Sequence, residues 1–159
     1  MKPLTLTLLL IPSLVFSQYE SGTTRQHEFG MTLGANAGNY FFGELGAFYS
    51  KSETALLPLK AFTINTGVEF TYVESLILAP KVQCRYTYQL FNFGLSTLYH
   101  FQEDAGSAWT LRPEIGVGVN NAELTYGYSF LLHQNGFNRF NTHTISLRVF
   151  LPLIKKPTR

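Results

Sequence analysis

The 159-residue sequence holds a single cysteine, Cys84. That excludes an internal disulfide framework and any zinc cluster built on cysteines. Charge is scarce too: Asp, Glu, Lys and Arg together make up 14% of the chain, against about 25% in an ordinary soluble domain. The formal net charge of +2 offers no basic surplus for nucleic acid. No stretch reaches the roughly 18 apolar residues that would announce a membrane-spanning helix. Repeats of roughly 20 to 50 residues are missing as well. Gly116-Val117-Gly118 is not followed by a helical pattern, so it is not a nucleotide loop. The His and carboxylate positions show no metal-ligand spacing. These absences leave no catalytic residue, cofactor or metal to be expected.

Aromatic residues are abundant, with 14 Phe and 9 Tyr. Strands supply the half-buried flat surfaces such side chains need. At the N-terminus, Lys2 precedes an apolar stretch from Leu4 to Phe16, and Val15 and Ser17 occupy the −3 and −1 positions of a signal-peptidase site. The expected organisation is a signal peptide over 1–17, a periplasmic segment over 18–27, a barrel over 28–153 and a tail over 154–159.

Period-2 alternation fills the rest. Phe62, Ile64, Thr66, Val68, Phe70 and Tyr72 point one way, and Ala61, Thr63, Asn65, Gly67, Glu69 and Thr71 the other. Comparable patterns cover 28–35, 41–49, 78–88, 91–101, 111–119, 124–132 and 144–153. Eight strands of this length return both termini to one side. Gly38-Asn39, Gln89-Leu90 and Asn120-Asn121 mark tight turns, and 50–59, 102–108 and 133–141 read as longer loops. Pro80 and Pro113 fall inside strands, where each removes a ladder hydrogen bond, and are expected at bulges or rims.

Alternation fits an apolar interior or an apolar exterior equally well, and three features favour the exterior. Gly30, Gly34, Gly46, Gly67, Gly94, Gly116, Gly118 and Gly127 lie on the polar face, where a narrow eight-stranded lumen wants small residues. The same face carries Glu28, Glu44, Glu69 and Glu114 against Lys81, Arg85, Arg112 and Arg148, a balanced set suited to a buried charge network. Phe70, Tyr72, Tyr99 and Phe101 would form one aromatic rim, and Tyr86, Tyr88, Phe91 and Phe93 the other. The expected fold is an all-β, eight-stranded antiparallel up-and-down transmembrane β-barrel following a signal peptide.

Five features together resemble small outer-membrane proteins of the Bacteroidota: the Ser17-Gln18 junction, the run Gly38-Asn39-Tyr40-Phe41-Phe42-Gly43-Glu44-Leu45, Arg112-Pro113-Glu114-Ile115-Gly116-Val117-Gly118, Tyr126-Gly127-Tyr128, and the closing strand Ile145 to Leu153. The likeness spans most of the mature chain. It implies residence in the outer membrane of a Gram-negative bacterium and carries over no catalytic residue.

Three roles remain. A structural or interaction barrel would work through its extracellular loops, where Phe137, Arg139 and Phe140 are candidate contacts for a surface protein or glycan. Its other partners would be the lipid bilayer and lipopolysaccharide. The basic tail residues Lys155, Lys156 and Arg159 would face the periplasm. An outer-leaflet deacylase or acyltransferase needs a histidine beside a serine. His143 and Ser146 fall on opposite faces, and His100 and Ser96 are about 13 Å apart along a strand. A carrier of small hydrophobic ligands would need a lateral gap, which Pro80 or Pro113 could open. A pore is not expected, because eight strands leave a lumen filled by side chains.

Overall fold

The computed structural model describes residues 24–54, 58–102, 106–119 and 121–158. The expected signal peptide over 1–17 lies outside them. The described residues form strands β1 (Thr24–Ala37), β2 (Phe41–Thr54), β3 (Pro58–Val73), β4 (Ser75–Tyr88), β5 (Phe91–Gln102), β6 (Gly106–Val119), β7 (Ala122–Tyr128), β8 (Phe130–Asn135) and β9 (His143–Thr158), with no helix. Each pairs antiparallel with its neighbours, and β9 pairs with β1, so the sheet closes on itself.

The ring has eight positions although it has nine strands. Both β7 and β8 pair with β6, at its two ends. The interruption falls opposite Pro113. Pairing with β6 stops after Glu114↔Gly127 and resumes at Leu111↔Phe130. Proline has no N–H to donate across that step, which splits one strand into two. Pro80 acts similarly: Leu78 pairs with Phe101 and Lys81 with Leu98, but Ala79 and Pro80 skip β5. The register is unchanged across that gap, so Pro80 marks an unpaired step rather than the expected bulge. Ala79 beside it is fully buried.

Following partners straight across the ring gives its stagger. Arg25 faces Glu53, then Lys60, Tyr88, Phe91, Val117, Leu124 and Leu147, and the path returns to β1 at Ala35. The closure is therefore offset by ten residues along the strand. With a rise of about 3.3 Å per residue and strands about 4.8 Å apart, this tilts the strands by about 40° and gives a radius of about 8 Å. Such a ring has room for side chains inside and little else.

Several elements run further than expected. The N-terminal segment is strand from Thr24, and the supposed tail is strand to Thr158. The long loops shrink because β2 reaches Thr54, β3 begins at Pro58, β6 begins at Gly106 and β8 extends to Asn135. Alternation fades toward some of these ends, where β8 and the last residues of β9 are exposed on both faces.

The two faces are inverted relative to a soluble domain. Among the described residues, 35 large apolar side chains are exposed, while nine apolar and 25 polar or charged residues are buried. Tyr86↔Phe93 and Tyr88↔Phe91 cluster at the end that holds the chain termini, and Tyr99↔Trp109 lie toward the other. Between them the outer wall is aliphatic, with Leu33, Ile64, Val82, Leu95, Ile115 and Leu147.

Candidate functional site

Inward positions on six strands bring eight charges into one network. Glu44 on β2 accepts from Lys81, from Arg148 Nε at 2.9 Å and from Asn36 at 3.2 Å. Glu69 on β3 takes Arg112 at 2.8 Å and Lys81 at 3.4 Å. Glu114 on β6 receives Arg148 at 2.5 Å, Ser96 at 2.8 Å and Gln83 at 2.9 Å. Glu123 on β7 pairs with Arg85 and, at 3.2 Å, with Arg148. The chain Arg112–Glu69–Lys81–Glu44–Arg148–Glu114/Glu123–Arg85 therefore spans the lumen without a break.

Charges this deeply buried persist only when paired and hydrogen-bonded. Four carboxylates meet four cations, so the network is formally neutral. Glycine makes it fit at close approaches. A Cβ at Gly127 would lie 2.8 Å from Arg112 Cδ, and one at Gly34 would lie 3.1 Å from Arg148 Cγ.

Seven of the eight expected interior charges belong to this network. Glu28 does not: it sits at the rim of the terminal end, 3.3 Å from the half-exposed Lys155. Its place is taken by Glu123, which the alternation reading overlooked. Glu123 is two residues before the inward Thr125, so the same period would have marked it had the segment begun one residue earlier.

The end away from the termini is closed by an apolar lid. Phe42, Ile77, Ala108 and Phe137 form a buried cluster, with Tyr40, Val73 and Phe140 packed against it. Phe137 is only 1% exposed. Gly136 adopts φ 74°, a left-handed conformation that glycine accommodates, and this turns the chain inward. Phe137 then stacks on His100, ring centroids 6.0 Å apart, and Phe140 lies 5.9 Å away.

Two side chains strap the loop down. Arg139 donates to the Val73 carbonyl at 3.1 Å and to the Glu74 carboxylate at 2.7 Å. The Asn141 side chain bonds both the N–H and the carbonyl of Tyr40, each at 2.8 Å. Of the three expected loop contacts, Phe137 is buried in the cap, whereas Arg139 and Phe140 are half-buried beside it.

The histidines do not assemble a hydrolytic pair among the described residues. His100 lies 3.2 Å from the Thr110 hydroxyl, whereas Ser96 donates to Glu114. His143 faces outward, 2.7 Å from the Tyr126 hydroxyl, and Ser146 is buried inside. His27, expected in a terminal segment, stands on β1, 2.5 Å from the Tyr49 hydroxyl. His133, expected in a loop, is on β8 opposite Trp109. No group of three or more His, Cys, Asp or Glu suited to a metal occurs among the described residues.

Compared with known proteins, the chain matches no family model, no curated protein and no solved structure.

Proposed function

We propose that this chain is an outer-membrane β-barrel of the small Bacteroidota kind that it resembles, exported by its N-terminal signal, with a closed, charge-paired interior and a structural or interaction role. The observation that carries this reading is the inversion of its faces: a closed sheet with aliphatic residues outward and a neutralised charge network inward. Water would penalise 35 exposed large apolar side chains, and a hydrocarbon surrounding would not. In lipid, a spanning sheet must also close, because an open edge leaves backbone groups unpaired. The partners are then the bilayer and lipopolysaccharide, with the termini in the periplasm and the lid outside.

The lid narrows the interaction role. A protein or glycan partner outside the cell would meet the partly exposed Arg139 and Phe140 and the exposed end of β8, His133 to Asn135. An acyl-transferring activity has less support, since Ser96 is committed to Glu114.

The test is heat-modifiable migration on a gel combined with fractionation of the expressing cells. The folded form should run ahead of the boiled form and stay with the outer membrane until detergent is added. Complete extraction into detergent-free buffer would overturn the reading.

A further inference from the structure

Among the described residues, none closes the terminal end of the lumen as Phe137 closes the other. Below the charge network lies a cavity of about 530 Å³, within the roughly 300–1,000 Å³ typical of small-molecule sites. Its walls are amides and hydroxyls: Gln26, Gln89, Asn92 and Asn121, with Ser52 and Thr87. Two polar atoms there, Ser52 Oγ and Arg85 Nε, have no hydrogen-bond partner among the described residues. Ser52 is 95% buried, being only 5% exposed. Both side chains line the cavity, but these two atoms are themselves enclosed, so recognition there rests on the amides of the wall.

The charge pattern selects the kind of group. Arg85 is held by Glu123, and Lys155 by Glu28 at the rim. The cavity is therefore balanced, and an anion or a cation would have to compete with an existing pair. A hydroxyl both donates and accepts, which matches walls that present amide donors, amide acceptors and carboxylates side by side. Phe48 and Phe150, edge to face at 5.3 Å, add one apolar surface, and the Arg85 guanidinium covers Phe150 at 4.0 Å. The polar walls do not suit the hydrophobic ligand of a carrier.

We propose that this mouth binds a short, uncharged saccharide. This goes beyond the membrane reading and does not require it, because the cavity is formed by the ring's own inward residues.

The test uses the folded full-length mature protein, in detergent micelles where needed, titrated with chitotriose and separately with maltotriose. Side-chain amide resonances of Gln26, Gln89 and Asn92 should shift and saturate, while those of Gln102 and Asn141 at the opposite end stay fixed. Ala61→Phe, which fills the cavity from β3, should weaken the effect about tenfold or more, a loss of about 1.4 kcal/mol per decade. Ser52→Leu reports the same if Ala61→Phe does not fold, and the wild-type comparison of the two ends needs no variant at all. The proposal is overturned by no shift with either sugar, by equal shifts at both ends, or by binding that survives in a folded cavity-filled variant. It is also overturned if inorganic phosphate shifts the same amides as strongly, since charge would then be what the site reads.

Discussion

Replacing Arg148 with Met tests the interior network most directly. The guanidinium is fully buried and touches three carboxylates, Glu44 at 2.9 Å, Glu114 at 2.5 Å and Glu123 at 3.2 Å. Methionine roughly fills the same volume, so packing changes little, but the lumen changes from neutral to one excess negative charge. Breaking a single buried pair costs about 3–5 kcal/mol. With Glu114 left without a cation, and Glu44 and Glu123 keeping only Lys81 and Arg85, the loss should lie at the upper end, about 5 kcal/mol, a large share of the roughly 5–15 kcal/mol that holds a domain together. Urea unfolding in micelles, followed by the fluorescence of Trp109, measures it. Arg148→Lys should lose less, keeping the charge but not the fork of donors. Adding Glu114→Gln to Arg148→Met restores neutrality and should recover about 2 kcal/mol relative to additivity. A loss under about 1 kcal/mol for Arg148→Met, or strict additivity in the double variant, would refute the network as a source of stability.

Other outcomes follow from the same arrangement. Glu28→Gln should change stability by less than about 1 kcal/mol, as a rim pair does. Glu123→Gln should cost about 3 kcal/mol, because Arg85 loses its carboxylate; equal effects in one unfolding assay would contradict the assignment of depth. Phe137→Ala should cost about 3–5 kcal/mol and speed amide exchange around His100, and an unchanged exchange rate would show that the lid is not a plug. Val82→Arg, in the aliphatic middle of the outer wall, should destabilise the protein by about 2–4 kcal/mol in lipid vesicles. A fold in vesicles indifferent to that charge would argue against a hydrocarbon surrounding.

Which face a residue takes was legible along most of the sequence, because strand alternation has a period of two; it fails in β8, which is exposed on both faces. How deep a residue sits was not. Glu28 and Glu44 are both inward acids, yet one meets solvent and the other is fully enclosed. The difference comes from a stagger of ten residues, set by pairings between distant strands. Pro113 could be read as a missing hydrogen bond, but not as the split between β7 and β8, since that depends on which strand lies opposite. Phe137 looked like a loop residue because its burial hangs on the backbone turn at Gly136 rather than on any pattern of side chains. The cavity at the terminal end was invisible for a similar reason: its walls come from strands far apart in the chain.

The pairing of β1 with β9 also governs the order of events in folding. The first strand to be made is completed by the last, so no partial chain has a closed sheet. Until β9 arrives, the edges of β1 and β7 are bare and the lumen holds four carboxylates against Lys81, Arg85 and Arg112. Arg148 rides on that final strand, so the strand that closes the ring also supplies the charge that neutralises the interior. A chain cut short before that point would be both open and charged within, with no stable half to fall back on.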